Sequence, residues 1–261
     1  NTGDQAGKEV VQVYAGKPLG KLGKAARTLE AFAKTNLLEP GESQKLSLSF
    51  PKEQLASYDD SGITGHKSSY VLEAGEYQIY AGSDVRNAEL AGSFTINTLQ
   101  VTEELKEACA PVEPFKRLKV EADGTMSEEE VPQRTVDLKA RIAADRPQAI
   151  PYTGDQGIKL KDVYQNKASL EDFIAQLSDE DLACLMRGEG MSSPRVTPGT
   201  AGAFGGVSES LTDFGIPAAC CADGPSGIRM DCGTTAFSLP NGTSLACTFN
   251  LDLVAALFDL M

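Results

Sequence analysis

The chain has 261 residues, and its 37 acidic and 24 basic side chains give a formal charge of −13 and a pI of about 4.6. Proteins that hold nucleic acid usually carry a basic face, whereas the only cations between Glu171 and Met261 are Arg187, Arg195 and Arg229. Nucleic acid and anionic lipid are therefore excluded as expected partners. No apolar run approaches the roughly 18 residues of a membrane span, so we expect a folded protein of one or two domains.

Residues 1–97 alternate short runs of β-type residues with turn residues, which is typical of an all-β sandwich. Within one run, Leu46, Leu48 and Phe50 recur at period two behind a Pro-Gly turn. A sandwich of this kind has about seven strands in roughly 100 residues, so we expect a missing strand before Asn1, in a longer polypeptide. The runs that we predict as strands are Glu9–Tyr14, Ser43–Phe50, Ser69–Leu72, Gly75–Ala81 and Leu90–Ile96.

Residues 98–168 combine scattered prolines with mixed charge and show no sustained hydrophobic period, which predicts a connector. Part of it, Met126–Ala144, could be extended or helical. Its acidic run, Ser127 to Glu130, is more typical of a solvated face than of a site. We therefore predict a β-sandwich over residues 1–97, a connector over 98–168 and a second domain over 169–261.

The hydrophobic pattern changes to helical spacing in the last third of the chain. Two S-x-x-D pairs, which begin at Ser169 and Ser178, are spaced as capping pairs and predict two short helices. Gly188 is suited to end the second helix in the left-handed αL conformation. A further helix is predicted from Leu251 to Met261, and because it has no C-cap, we expect a chain that continues beyond it.

A stretch rich in glycine and proline, residues 188–206, lacks the phosphate-binding pattern G-x-x-x-x-G-K-[ST] and is predicted as a surface loop near a binding face. Ile216–Ala222 then has the composition of a short buried strand and leads into Asp223 and a Gly-Pro turn. A carboxylate at the C-terminal end of a strand lies where a ligand can reach it, as on the active-site face of a (β/α)8 barrel. From the local sequence alone, Asp223 could instead cap the next helix or open a type I turn.

The cysteines are too thinly spread for a secreted disulfide scaffold and lack the C-x2-C spacing of zinc sites. We therefore predict buried free thiols in a reducing, cytoplasmic location, with no metal site and no cofactor. The single histidine, His66, is predicted to lie in a surface loop. The six cysteines are Cys109, Cys184, Cys220, Cys221, Cys232 and Cys247.

Two blocks of sequence carry a resemblance to a known family. The run ADGPSGIR (222–229), followed by TAFSLPNGTSLACTFN (235–250), resembles the start of the catalytic barrel of glycoside hydrolase family 3, the β-glucosidase family. The runs AGKEVVQVYAGKP (6–18), LEAFAKTNLLEPGES (29–43) and EAGEYQIYAGSDVRN (73–87) resemble the fibronectin type III-like domain of that family. Their order is similar to that of a permuted variant, in which the β-domain precedes the barrel.

This resemblance implies a multidomain α+β protein, with a fibronectin type III-like β-sandwich followed by the first units of an incomplete (β/α)8 barrel. It also implies retaining hydrolysis of terminal β-D-glucosyl residues by a nucleophilic and an acid/base carboxylate. Neither carboxylate has a matching residue in this chain, so we expect the chain alone to be inactive. The implied partners are a β-glucoside or oligosaccharide substrate and the remaining domains of the same polypeptide.

The resemblance also supplies three candidate substrate-binding residues. Asp223 matches a family Asp that accepts hydrogen bonds from the hydroxyls of the sugar. Arg229 is expected to order the loop by pairing with a nearby acid, and Phe237 could flank the sugar.

An alternative hypothesis is a non-catalytic β-sandwich module that binds carbohydrate or a protein partner, with the last third of the chain as a helical appendage. Sugar-binding sandwiches usually present aromatic platforms, whereas this chain has no tryptophan and 7% aromatic residues. Asp223 and its neighbours discriminate between the two hypotheses, because only the enzyme hypothesis gives them a role.

Overall fold

The computed structural model describes residues 1–121, 123–224 and 226–260, in two compact units that divide between Asp145 and Arg146. The N-terminal unit is mostly β-structure. Its elements are β1 (Val10–Gly16), β2 (Thr28–Lys34), a 3₁₀ turn (Lys52–Leu55), β3 (Ser57–Asp59), β4 (Ser69–Leu72), β5 (Gly75–Gly82), β6 (Glu89–Ile96), β7 (Gln100–Glu104), β8 (Lys116–Val120), β9 (Met126–Glu130) and α1 (Leu138–Ala144).

Two antiparallel sheets form the predicted sandwich in this unit. One has the strand order β2-β1-β5-β6, and the other has the order β3-β4-β7. Both sheets contribute to one apolar core, in which Ala15, Leu72, Tyr77 and Ile96 are buried. The strands predicted around β1, β4, β5 and β6 are thus confirmed, whereas β2, β3 and β7 were not predicted.

The predicted strand Ser43–Phe50 forms no sheet ladder with any of the residues that the structure describes. Its predicted face is nevertheless correct, because Leu46, Leu48 and Phe50 are half-buried while the residues between them are exposed. A β-strand needs a neighbour for its backbone groups, and hydrophobic alternation alone does not supply one. The prediction was therefore right about the alternation and wrong about the pairing.

The segment predicted as a connector contains regular structure. Strand β7 pairs with β4, and β8 and β9 form a hairpin that places basic residues opposite acidic ones, such as Arg117 opposite Glu129. The Arg117 guanidinium bonds to Glu129 at 2.7 Å and also pairs with Asp60, which follows β3. Because both strands carry charged side chains, the hairpin lacks the hydrophobic periodicity from which strands are predicted. The boundaries at residues 97 and 168 stay a prediction.

Glu107 joins the segment after β7 to two other parts of the N-terminal unit. Its carboxylate pairs with Lys67 Nζ at 2.6 Å and accepts hydrogen bonds from the Thr135 amide at 2.8 Å and the Thr135 hydroxyl at 2.9 Å. The Lys67 ammonium and the Thr135 donors together lower the pKa of Glu107 from 4.5 to about 2. The carboxyl is therefore charged in the folded protein well below the pH at which it would be protonated in the unfolded chain.

We expect the stabilisation by Glu107 to be complete above pH 4.5 and to be lost as the pH falls towards 2. The protein loses stability as the pH falls because the unfolded state binds the proton more readily than the folded state in this range. In Glu107→Gln, unfolding midpoints in urea between pH 7 and pH 2 should depend less on pH than in the unchanged protein. Glu103→Gln, at an exposed position, is the control, and an equal pH dependence in both variants would contradict the prediction.

The C-terminal unit mixes short helices with a small antiparallel sheet of order β10-β11-β12. Phe173, Leu177 and Phe214 form its main apolar core. The elements are α2 (Leu160–Tyr164), α3 (Leu170–Ala175), α4 (Asp179–Arg187), β10 (Glu189–Gly190), β11 (Gly202–Gly205), α5 (Glu209–Asp213), β12 (Ala218–Cys221), α6 (Gly242–Ala246) and α7 (Leu251–Asp259).

The predicted capping pairs begin helices α3 and α4. The Ser169 hydroxyl accepts the Asp172 amide at 3.0 Å, and the Ser178 hydroxyl accepts the Asp181 amide at 3.1 Å. Gly188 ends α4 with φ +66° and ψ −162°, which is not the predicted αL conformation, because the chain passes directly into β10. The helix predicted from Leu251 is confirmed as α7, and its predicted end, Met261, lies outside the described residues.

The burial predicted for Ile216–Ala222 is wrong. Strand β12 lies within this stretch, but its four residues are exposed because no described part of the chain covers their side chains. It pairs with β11 on one edge and with no other described strand. The pairing is antiparallel, whereas the strands of a (β/α)8 barrel are parallel, so this sheet does not establish a barrel.

The cysteines are free in the structure, as predicted, but their predicted burial is also wrong. Cys184 is partly buried and the other five are exposed, two of them on β12. His66 lies in an exposed loop, which confirms its prediction. Among the described residues, no helix is both long and apolar enough to cross a membrane.

Candidate functional site

Asp223 lies two residues beyond β12, at the start of a loop that closes on itself. The Arg229 amide donates a hydrogen bond to the Asp223 carbonyl oxygen at 2.7 Å. Gly224 has φ +132°, and a Cβ at that position would collide with the carbonyl oxygen of Gly227. The loop is therefore too tight for a side chain at Gly224. Pro225, the other residue of the predicted turn, lies outside the described residues.

A second segment holds this loop in place. Gly227 forms an antiparallel bridge with Ser238, and the Ile228 amide donates to the Phe237 carbonyl oxygen at 2.9 Å. A Cβ at Gly227 would collide with that same carbonyl oxygen. The two sequence blocks that carry the resemblance, 222–229 and 235–250, are thus bonded to each other. The side chain of Phe237 remains 40% exposed.

Arg229 is held between two carboxylates. Its Nη1 lies 3.5 Å from Asp223 Oδ2, and its Nε lies 3.0 Å from Asp231 Oδ1. The hydrogen bond that Arg229 donates to Asp231 and the negative charges of both carboxylates raise the pKa of Arg229. Because the Arg229 side chain is 62% exposed and that of Asp223 57% exposed, water screens these pairs. Their main effect is to orient the Asp223 carboxylate and the guanidinium.

Asp231 was not predicted as part of this site. Its amide donates to the Gly199 carbonyl oxygen at 3.1 Å, so the glycine-rich stretch 188–206 touches the loop. An acid two residues after an arginine carries no distinctive signal in a sequence, and only the fold shows that Asp231 faces Arg229.

The arrangement leaves Asp223 open to a ligand. An exposed carboxylate accepts hydrogen bonds through both oxygens, and such charge-assisted bonds to hydroxyl groups are short and strong. The alternative that Asp223 caps the next helix is wrong, because α6 is capped by Asn241, which accepts the Ser244 amide at 2.9 Å. The structure brings Asp223 and Arg229 into contact and fixes the backbone of Phe237 beside them, whereas their binding of a substrate stays a prediction.

Comparison with known proteins identifies the class of each part of the chain. Residues 9–85 match the fibronectin type III-like domain. The whole chain is 56% identical to a β-glucosidase of Ruminococcus albus, of which it spans 28%, and 97% of it aligns at 38% identity with 32% of β-glucosidase A of Butyrivibrio fibrisolvens. The structure superposes on the crystal structure of a β-glucosidase from Paenibacillus barengoltzii with a TM-score of 0.92 and 57% identity, covering 99% of this chain and 29% of that one.

The N-terminal sandwich is therefore a fibronectin type III-like domain. The resemblance to the β-glucosidase family is confirmed as well, because the whole chain aligns with a segment of proteins that are named β-glucosidases. The chain spans less than a third of the length of each of these relatives.

Proposed function

We propose that this chain is part of a retaining β-glucosidase that hydrolyses terminal β-D-glucosyl residues. The observation that carries the proposal is the 56% identity with the Ruminococcus albus β-glucosidase over all 261 residues. The exposed Asp223 at the end of β12 adds a local argument, because it offers a charged acceptor to sugar hydroxyls.

In this proposal the C-terminal unit supplies the first units of a (β/α)8 barrel. The exposed strand β12 and helix α7, none of whose residues is buried, then pack against later units of the barrel. A barrel of about 250 residues spends about 31 on each unit, so residues 169–261 hold at most about three. The substrate is a β-glucoside or oligosaccharide, and the remaining domains of the same polypeptide are the partners. A cytoplasmic location remains a further proposal.

The nucleophile and the acid/base are proposed to lie outside this chain. A retaining enzyme needs two carboxyl groups about 5 to 5.5 Å apart on either side of the glycosidic bond. Asp223 and Asp231 do not fill these roles in the proposal, because both face the same guanidinium. The test is to assay a nitrophenyl β-glucoside with this chain and with the full-length polypeptide, and turnover by this chain alone would contradict the assignment.

Asp223→Ala, made in the full-length polypeptide, is expected to lower kcat/KM roughly 30-fold to 1000-fold. This loss corresponds to about 2 to 4 kcal/mol of transition-state stabilisation. The reason is that sugar hydroxyls lose a charged acceptor. Asp213→Ala, at an exposed acid at the end of α5, is the matched control and should leave the kinetics unchanged. Equal kinetics for the two variants would remove Asp223 from the site.

One feature favours the alternative of a binding module. The N-terminal unit has a cavity of about 730 Å³ whose lining includes Tyr58, Arg117 and Lys119. If an oligosaccharide perturbs the tyrosine NMR signals of residues 1–97 and Asp223→Ala leaves that response unchanged, the binding-module alternative is supported. If the tyrosine signals do not move, the enzyme proposal stands without a second binding site.

A further inference from the structure

A turn at residues 197–201 contacts the chain on both sides of Asp223. Before Asp223, the Cys221 carbonyl oxygen accepts a hydrogen bond from an amide of this turn at 2.8 Å. After Asp223, the Asp231 amide donates to a carbonyl oxygen of the same turn at 3.1 Å. The loop that carries Asp223 therefore begins and ends at this turn, and the turn fixes where its two ends lie.

Gly199 allows the chain after the loop to pack directly on this turn. Its φ is +85°, and a Cβ at this position would lie 2.6 Å from Cys232 Sγ and 3.1 Å from the Cys232 backbone nitrogen. Gly233 has nearly the same φ, +83°, but a Cβ there would meet nothing within 4 Å. The two glycines thus share a left-handed backbone, and only Gly199 also makes a close contact.

Asp231 connects this turn to Asp223 through Arg229. The Asp231 side chain is 36% exposed, less than those of Arg229 and Asp223. Asp231 Oδ1 accepts a hydrogen bond from Arg229 Nε at 3.0 Å, while Nη1 of the same guanidinium lies 3.5 Å from Asp223 Oδ2. Because the guanidinium is rigid and planar, its position at Asp231 also sets the position of the donor that faces Asp223.

We propose that Gly199 and Asp231 are positioning residues for Asp223, which hold its carboxylate in the orientation that accepts hydrogen bonds from sugar hydroxyls. This inference rests on the proposed function, which places the sugar at Asp223. A displacement of about 1 Å at a binding group can lower a rate about 100-fold, even when its cause lies away from the reacting atoms. Gly199 therefore affects turnover through the backbone of Asp231, without contact with the substrate.

The first test measures hydrolysis of a nitrophenyl β-glucoside by variants of the full-length polypeptide. Gly199→Ala should lower kcat/KM at least about tenfold, because the new Cβ displaces the segment that packs on it. Gly233→Ala is the matched control, with the same backbone strain but open space, and should change kcat/KM less than about twofold. Asp231→Ala should resemble Gly199→Ala, whereas Asp231→Asn should keep most of the activity, because its side-chain oxygen still accepts from Arg229.

A second test separates positioning from general damage to the fold. When Asp223 is already alanine, Gly199→Ala and Asp231→Ala should cause no further loss beyond about twofold, since both act through the same carboxylate. A further tenfold loss in that background would overturn the proposal. Unchanged kinetics in Gly199→Ala, with a large loss in Asp223→Ala, would also overturn it but would leave the proposed function intact.

A third test does not depend on glucosidase activity. The Arg229 Nε–H signal, assigned in NMR spectra of this chain by its loss in Arg229→Lys, reports the hydrogen bond to Asp231. Its exchange with water should be at least about tenfold faster in Gly199→Ala and unchanged in Gly233→Ala, and equal rates in these two variants would refute the proposal. If the full-length polypeptide hydrolyses no β-glucoside while this exchange responds as expected, the proposed function is wrong and the positioning of Asp223 stands.

Discussion

Lys24→Met is expected to lower the free energy of unfolding of the N-terminal unit by about 3 to 5 kcal/mol. Lys24 Nζ pairs with the Glu73 carboxylate and donates to the carbonyl oxygens of Pro18 at 2.8 Å and Leu19 at 3.2 Å. The Lys24 side chain is 5% exposed and that of Glu73 is 8% exposed. The variant would therefore leave a buried carboxylate without its counter-ion, and this uncompensated charge is the source of the large cost.

The local structure gives Glu73 little freedom to relax in this variant. Its carboxylate also accepts the Lys21 amide at 2.8 Å, and a Cβ at Gly20, where φ is +54°, would collide with it. The carboxylate is thus enclosed by the backbone of the loop between β1 and β2, and it cannot turn towards water without opening that loop. The loss should be seen as a lower urea midpoint, measured by circular dichroism.

Two further variants separate this buried pair from an ordinary one. Lys116→Met removes a partner of Glu128 at 3.5 Å, where both side chains are more than half exposed, and should cost less than about 1 kcal/mol. Lys24→Met combined with Glu73→Leu removes both buried charges and should recover part of the loss. Equal costs for Lys24→Met and Lys116→Met would show that burial does not set the strength of the pair.

The sequence predicted the sandwich because its core strands alternate apolar and polar residues, as in β5, where Tyr77 is buried and its neighbours are not. It did not predict the β8–β9 hairpin, because that hairpin is held by charge pairs such as Arg117 with Glu129 and not by an apolar face. It over-predicted a paired strand at residues 43–50, since alternation reports one face of a strand and says nothing about its edges.

At the candidate site, the sequence supplied Asp223 and its loop but not the geometry around them. Gly227 is required by a backbone contact with Phe237, which lies ten residues later and which a local pattern cannot identify. Asp231 was missed for the same reason. The burial of β12 was mispredicted because composition reports a preference for burial, whereas burial itself depends on which surfaces cover the strand. The remaining units of the proposed barrel would provide such surfaces.

Tyr77→Ala is expected to cost about 3 to 5 kcal/mol of stability, the range for removing a buried aromatic side chain. Tyr77 is fully buried at the centre of the sandwich core, its ring stacks on Phe94 with 5.3 Å between ring centroids, and its hydroxyl donates to the Glu73 carbonyl oxygen at 3.0 Å. The variant creates a cavity where the two sheets meet, and the surrounding strands cannot collapse into it without breaking their ladders.

Tyr77→Phe is the matched variant, because it keeps the ring and removes only the hydroxyl. It should cost about 1 kcal/mol of stability, the net value of one hydrogen bond, because the Tyr77 hydroxyl no longer donates to the Glu73 carbonyl oxygen. The two variants therefore divide the contribution of Tyr77 into packing and hydrogen bonding. If urea unfolding showed equal losses for both, the hydroxyl and not the ring would be the main contribution of Tyr77, and the shared core would not be what holds the two sheets together.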